Sequence, residues 1–504
     1  CTDLAEGSII ARFSRVSRSI MKFIVKFYPE ITIKSRPVRK QFVKQLHTNL
    51  KRLLGATDPD IHIERHWDKI VINSKLKDPT ALAAIVETLN NTPGIAHFLD
   101  VLEYPLVDID TIYQQTLALW GERLAGKTFS VRCKRSGKHD FKSLEVERYV
   151  GGGLNQHSDA AGVNLSNPDM VVRIEVRDEL VYIVNQRYPG LGGYPLGSLD
   201  PVLSLISGGF DSPVASYLMM KRGLRTHFCF FNLGGREHEI GVKEVALYLW
   251  MKYGASHRVK FVTVPFEAVV GEILKNVDNS QMGVVLKRMM LRAAERVADQ
   301  LNVQALVTGE AIAQVSSQTL TNLSVIDAVT DKMVLRPLIA ANKGDIIRTA
   351  TEIGTQEFAA NMPEYCGVIS VKPTTRAKPE KIAAQEANFD FAVLEQALSD
   401  ARYTTIDQLA NEELERIDIE ELAAPIPDAV VLDVRHPNET DRRQLKLAGT
   451  AIIGIPFYEL HSKFAELDQA CTYLLYCEKG VMSRLHAAHL VEQGYENVKV
   501  YRPN

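Results

Sequence analysis

One stretch constrains the chain more than any other: "PVLSLISGGFDSPVASYLMMKRG", residues 201–223. An apolar, strand-like run ends at Ile206, the turn "SGGFDS" follows, and Pro213 suits the first turn of a helix. Strand, Gly-rich turn and helix in that order build an anion site. Gly208 and Gly209 let backbone approach a phosphate without a Cβ clash, Ser207 and Ser212 add hydroxyl donors, and the helix dipole favours negative charge. No Walker-type Lys accompanies the turn, so the expected handling differs from γ-phosphoryl transfer. An ordinary Gly-rich turn is the competing reading. Conversely, "GERLAGKT" (121–128) satisfies the Walker A pattern letter for letter but runs from helix to strand. A phosphate-cradling loop needs the opposite order, so this segment is expected to bind no nucleotide.

Around that turn the organisation reads as several domains, since 504 residues with 46% hydrophobic content bury several cores. "KFIVKFYPEITI", the apolar stripe Val38, Phe42, Leu46, Leu50 and Leu53, and "KIVINS" predict a small ferredoxin-like α/β sandwich starting at Met21. Residues 1–20 look like an extension with no role in the fold. A second unit over 81–188 combines helix patterns, the strand "KTFSVRCKRSG" and the hairpin "MVVRIEVRDELVYIVNQ". "RYPGLGGYPLG" reads as a linker. Strands and helices then alternate to about residue 395, the pattern of a doubly wound parallel sheet. An acidic, helix-prone connector (396–424) leads to a last α/β unit, 425–504.

Basic charge concentrates at the front. Between Lys22 and Arg52 stand nine basic residues and one acid, and between Lys127 and Arg148 seven against three, a footprint for a polyanion. Arg39, Lys40 and Lys44 on the first helix and Lys134, Arg135 and Lys138 in the second unit are the candidate contacts; a solvated helix face is the plain alternative. No run of eighteen apolar residues and no signal-peptide pattern is present, so a cytoplasmic protein without membrane contact is expected.

At "SGGFDS" the chain resembles the PP-loop, or N-type, ATP pyrophosphatases. That resemblance implies adenylation of a carbonyl or carboxyl oxygen by ATP, release of pyrophosphate and displacement of AMP, with Asp211 helping to hold Mg²⁺ and pyrophosphate. With "FFNLGG", "GEILKNVDNSQMGVVLKRMMLRAA", "ALVTGEAIAQVSSQTLTNL", "LRPLI" and "MPEYCGVIS", the chain from Met21 onward looks like the bacterial tRNA 4-thiouridine synthetase (tRNA sulfurtransferase) family. This implies a ferredoxin-like domain (21–80), an RNA-binding THUMP domain (81–188), a PP-loop domain (189–395) and a rhodanese domain (425–504). It implies ATP contacts at Leu205, Ile206, Ser207, Gly208, Gly209, Ser212, Lys287, Gly309 and Gln318, with Lys287 neutralising phosphate and Gly309 permitting close approach to the adenylate.

Six cysteines lie far apart without a Cys-x-x-Cys pair, which argues against a zinc ribbon and a secreted disulfide framework. Cys477 follows the apolar run "TYLLY" and precedes a helix, an arrangement expected to lower its pKa. "CEKGVMSR", with "LDVRHP" upstream, resembles a rhodanese loop formed by Cys477, Glu478, Lys479, Gly480, Val481, Met482, Ser483 and Arg484. A Cys-x5-Arg phosphatase would need arginine at 483, where Ser483 stands. Cys133, Cys229 and Cys471 read as core. The resemblance pairs Cys477, the persulfide carrier, with Cys366, the partner thiol in a transient disulfide; without it, a buried structural role for Cys366 is as good a reading. The implied function is ATP-dependent thiolation of a tRNA uridine, position 8 by family, fed by a cysteine desulfurase and reset by a cellular disulfide reductant. Sulfur transfer to a small carrier protein for the thiazole of thiamine is implied as well. An RNA-binding protein with a degenerate nucleotide site is the alternative, and the oligomeric state, a homodimer included, stays open.

Overall fold

The computed structural model describes residues 20–233, 235–360, 372–409, 419–435, 437–441, 443–478 and 480–503. Contacts divide the chain between Pro195 and Leu196 into two compact units.

In the first unit, strands β1 (Met21–Phe27), β2 (His62–Arg65), β3 (Lys69–Ser74), β4 (Ile95–Pro105), β5 (Thr128–Ser136), β6 (Gly162–Val163), β7 (Met170–Arg177) and β8 (Leu180–Gly192) form one sheet, ordered β2-β3-β1-β4-β8-β7-β5-β6. The alternation in β1 explains its central place. Phe23, Val25 and Phe27 pack with Phe42, Leu46 and Leu50 of helix α1 (Arg36–Leu54), while Ile24 on the other face packs with Leu99, Val101 and Val184. Each such fully buried side chain contributes roughly 1.5–3 kcal/mol. Helix α2 (Pro79–Asn90) adds Ile85 and Leu89 to the same core, so the expected boundary at residue 80 falls inside an element of the ferredoxin-like half. Helices α3 (Ile109–Trp120) and α4 (Ser143–His157) cover the other half, burying Ile112, Trp120, Val146 and Val150 against Phe129 and Ile174. After α3, "GERLAGKT" runs through a 3-10 turn into β5, which is no phosphate cradle. The expected linker is corrected in part: "RYPGLG" continues β8, and a Cβ on Gly190 would stand 2.3 Å from the Ile95 carbonyl oxygen, so only glycine lets the two strands cross there.

The second unit holds two sheets. Strands β9 (Leu199–Leu205), β10 (Leu224–Asn232), β11 (Lys260–Pro265), β12 (Ala305–Val307), β13 (Met333–Leu335) and β14 (Arg402–Thr405) are ordered β13-β12-β9-β10-β11-β14, parallel except for β14. Chain order reverses beside β9, which makes its carboxyl end the switch point where ligands bind in such sheets. Helix α5 (Asp211–Lys221) follows β9, α6 (Gly235–Leu249) follows β10, and α7 (Met282–Gln300) supplies Val285, Met289 and Ala293 to the core. After the short helix α8 (Gln356–Ala360), helices α9 (Pro379–Glu386) and α10 (Ala392–Ser399) bury Ile382, Leu394 and Ala397 in that same core. The expected helical connector from 396 is therefore corrected: "RYTT" returns to the sheet as β14, because its β-branched Thr404 and half-buried Tyr403 fit the free edge of β11.

The last sheet is ordered β15-β19-β18-β16-β17 and wholly parallel: β15 (Glu421–Leu422), β16 (Val430–Asp433), β17 (Ala451–Gly454), β18 (Tyr473–Tyr476) and β19 (Val498–Tyr501), with α11 (Phe457–Phe464) and α12 (Val481–Glu492). No helix among the described residues is long and apolar enough to cross a membrane.

Candidate active site

The chain leaves β9 at Leu205, and the Ile206 N–H still donates to Cys229 O at 2.9 Å. Ser212 then closes the turn: its Oγ accepts from Ser207 N at 2.9 Å and sits 3.0 Å from Ser207 Oγ. Helix α5 thus opens at Asp211 with its free amides facing the loop. A Cβ built on Gly209 would meet nothing within 4 Å, which leaves room over the loop, and Gly208 is buried beneath it.

A second loop, after β12, leans against the first. A Cβ on Gly309 would fall 2.6 Å from Ser212 N and 2.7 Å from Asp211 C. Gly309 thereby makes room for the Gly-rich turn itself. Glu310 gathers three donors. Lys287 Nζ lies 2.6 Å from Oε1, while Arg336 Nε at 2.8 Å and Thr308 Oγ1 at 3.0 Å donate to Oε2. Burial would raise this carboxyl, but Lys287 and Arg336 hold it below the ordinary glutamate value. Arg288 and Arg292 on the same helix turn away to Glu386, so Lys287 is the cation of α7 committed to the site. Asp211 accepts from Gln314 Nε2 and from Lys343 Nζ, each at 2.8 Å. Glu310, Gln314, Arg336 and Lys343 escaped sequence reasoning. Glu310, a charged residue directly after the strand-end glycine, carried a usable local signal; Lys343 carried none.

Gln318 is buried, and among the described residues its Oε1 accepts no hydrogen bond. An orphaned acceptor on the segment whose Gln314 reaches Asp211 of the Gly-rich turn fits a nucleotide that brings its own amine donor and phosphates. Among the described residues no group of three His, Cys, Asp or Glu side chains could cage a metal. The single carboxylate of Asp211 fits a Mg²⁺ that is shared with phosphate oxygens.

At the carboxyl end of β18, Cys477 is buried, with Ser483 N–H donating to Sγ at 3.3 Å and Ser483 Oγ 3.4 Å away. Gly480 caps α12 with φ 69°, a left-handed conformation that favours glycine, and its N–H donates to Cys477 O. The expected drop in pKa is corrected: burial pushes the Cys477 thiol up, and the Ser483 and Met482 contacts offset only part of that. Around the thiol, Glu478 pairs with Arg443 at 2.7 Å, and Met482 and Ser483 are buried. Arg484 faces Glu421, Nε to Oε1 3.1 Å, rather than serving an oxyanion at Cys477. Asp433 and Arg435 form a buried bidentate pair beneath the loop, at 2.6 and 2.8 Å. Val481 begins α12; Lys479 and Cys366 lie outside the described residues. Cys229 is core and Cys133, in β5, is half-buried against the core of its unit, whereas Cys471 is half-buried in a bend before β18, which corrects its reading as a core residue.

In the first unit Arg39 stacks on Trp67 with its guanidinium carbon 3.9 Å from the ring centroid, and Trp67 is itself 55% exposed. Lys40, Lys44, Lys134 and Lys138 are exposed, and Arg135 donates to Gly137 O at 3.1 Å.

A Gly-rich nucleotide-type loop and a rhodanese-type cysteine loop on one chain define a sulfurtransferase. Family models match the ThiI ferredoxin-like domain over residues 22–98, the THUMP domain over 107–184, the thiamine biosynthesis protein (ThiI) over 197–391 and the rhodanese-like domain over 418–502. The chain is 56% identical to the tRNA sulfurtransferase of Pseudomonas putida and 57% identical to that of Azotobacter vinelandii, in both cases over 96% of this chain and 100% of the relative. A crystal structure of a 4-thiouridine synthetase–RNA complex with bound ATP superposes with a TM-score of 0.68 at 28% identity, covering 77% of this chain and 99% of that one. The chain belongs to the tRNA sulfurtransferase family.

Proposed function

We propose that the protein converts a uridine of tRNA, position 8, to 4-thiouridine in an ATP-dependent reaction. The observation that carries this reading is the pairing, in one compact unit, of the "SGGFDS" turn and the orphaned Gln318 acceptor with the buried Cys477 loop.

The uracil O4 attacks the α-phosphate of ATP, pyrophosphate leaves, and O4 becomes part of a good leaving group. Leu205 and Ile206 line the strand end, Ser207, Gly208, Gly209 and Ser212 present the anion cradle, Lys287 and Lys343 supply positive charge, and Asp211 would hold a Mg²⁺, which would neutralise phosphate charge. A cysteine desulfurase places a sulfane sulfur on Cys477. The terminal sulfur attacks C4, the C4–O bond breaks and AMP departs. Cys366 thiolate then attacks Cys477 Sγ, the S–S bond to the transferred sulfur breaks, and 4-thiouridine is released with a Cys366–Cys477 disulfide. The two thiols supply the two electrons that take sulfane sulfur to the sulfide level, and a cellular dithiol reductant reopens the disulfide. The basic faces of the first unit bind tRNA through its backbone and shape.

A second reading concerns the rhodanese unit alone. The rhodanese-like match over residues 418–502, on a chain that also matches a thiamine biosynthesis protein over 197–391, favours persulfide transfer from Cys477 to a small sulfur-carrier protein for the thiazole of thiamine. Mass analysis of nucleosides from tRNA incubated with the protein, ATP, Mg²⁺, cysteine, a desulfurase and a reductant tests the first reading. A sulfur-for-oxygen exchange on uridine supports it, and unchanged uridine with intact pyrophosphate release overturns it.

A further inference from the structure

The rhodanese sheet and the nucleotide-binding sheet meet at a specific contact within their shared unit. Phe457, buried at the start of α11, places its ring 4.8 Å from Phe358 of α8 and 6.4 Å from Tyr248 of α6. On its other side Phe457 meets His486 of α12 at 5.8 Å, and His486 Nε2 lies 3.2 Å from Glu244 Oε1 of α6, with both side chains buried. At the solvent rim, Arg236 of α6 pairs with Glu492 of α12 at 2.7 Å. A desolvated aromatic centre with a polar rim is the anatomy of a docking face.

Its place in the rhodanese fold suggests its use. Phe457 N donates to Val434 O at 2.9 Å, and Val434 N donates to Tyr476 O at 3.0 Å. The carboxyl ends of the neighbouring strands β17, β16 and β18 therefore carry Phe457, Val434 and Cys477 in a row, at about 4.8 Å per strand. The aromatic peg and the thiol share one edge of the sheet, about 10 Å apart. On the opposite side, α8 carries Phe358 and ends at Ala360. Cys366 follows six residues later in the sequence, so chain length alone keeps it within about 20 Å of Ala360.

We propose that this contact is a delivery dock. Phe457, His486 and the Arg236–Glu492 pair hold the persulfide-bearing edge against the part of the adenylation domain from which Cys366 extends. These are positioning residues: they make and break no bond. The inference rests on the carrier role of Cys477 proposed above.

The test uses full-length protein in three variants, Phe457→Ala, Arg236→Glu and the charge swap Arg236→Glu/Glu492→Arg. Three quantities are measured: labelled sulfur loaded onto Cys477 from cysteine by a desulfurase, tRNA-dependent pyrophosphate release, and single-turnover 4-thiouridine formation by preloaded protein. Loading and pyrophosphate release are expected to hold in all three variants. Single-turnover delivery is expected to fall at least about tenfold in Phe457→Ala, the order expected for a central aromatic anchor. It is expected to fall about threefold in Arg236→Glu, in keeping with an exposed ion pair, and to recover in the charge swap. Unchanged delivery in Phe457→Ala, or a swap that fails to recover, overturns the dock. Absence of label on Cys477 of the unmodified protein overturns the carrier role instead.

Discussion

Gly309 and Ser212 stand so close that a Cβ on Gly309 would lie 2.6 Å from the Ser212 backbone nitrogen. The loop after β12 and the Gly-rich turn after β9 are one interlocked surface, and neither moves without the other. Gly309→Ala should displace the turn and lower tRNA-dependent pyrophosphate release by about tenfold or more, since overpacking of this kind costs about 1–3 kcal/mol. Pyrophosphate assays at saturating ATP and tRNA check this, with the circular dichroism spectrum expected to be retained.

On the proposed function, Cys477 and the nucleotide loop serve separate steps. Cys477→Ser should abolish thiouridine formation while tRNA-dependent pyrophosphate release persists. Mass analysis of tRNA nucleosides beside a pyrophosphate assay on the same sample reads both.

Burial pushes the Cys477 thiol up, and Ser483 partly offsets it. At neutral pH the loop should thus react with iodoacetamide more slowly than a free cysteine does, with the rate climbing as pH passes the ordinary thiol range. Ser483→Ala removes the hydroxyl contact and should slow alkylation about two- to tenfold, the worth of one hydrogen bond. Mass spectrometry of the Cys477 peptide against pH measures it; a faster variant would contradict the role given to Ser483.

Glu244 is held in the protonated form by burial, which pushes its carboxyl up to about 8. Because the folded value exceeds the ordinary one of 4.5, the contribution to stability is full below about pH 4.5 and is lost as pH rises through about 8. The protein should melt at lower temperature above about pH 8 than near neutrality, and Glu244→Gln, which carries no titrating group beside His486, should shrink that difference. Scanning calorimetry across this range decides it.

The cations of the α1 basic face, half-buried Arg39 on Trp67 and exposed Lys40 and Lys44, should act additively on tRNA. Replacing Arg39, Lys40 and Lys44 by Ala together should weaken binding and reduce the slope of log affinity against log salt by about two to three, since each phosphate contact contributes about 0.7–0.9. Filter binding over a salt series measures the slope.

Much of this architecture was legible along the chain because its signals are local. The "SGGFDS" turn announces itself by a strand before and a helix after, and β1 and α1 by their periods of two and 3.6. What escaped reading was assembled by folding. Gln314 and Lys343 reach Asp211 from 103 and 132 residues away, and no spacing rule joins them. The rise in the Cys477 pKa follows from the depth of the site, whereas sequence exposes only the helix that opposes it. β14 was missed because a run of only four residues, though strand-favouring in Tyr403, Thr404 and Thr405, stands between acidic helix-like segments, and the free edge of β11 decides its state.

That small strand sets the origin of a tether. From Thr405 at the end of β14 to Glu421 at the start of β15 the chain is short, and at about 3.6 Å per residue it spans at most roughly 60 Å. A rhodanese unit joined so closely to the domain that carries the Gly-rich turn meets that turn at an effective concentration on the order of millimolar. On the proposed function, a persulfide on Cys477 would therefore meet the activated base as an intramolecular reactant, ahead of the small thiols and sulfide that diffuse through the surrounding solution.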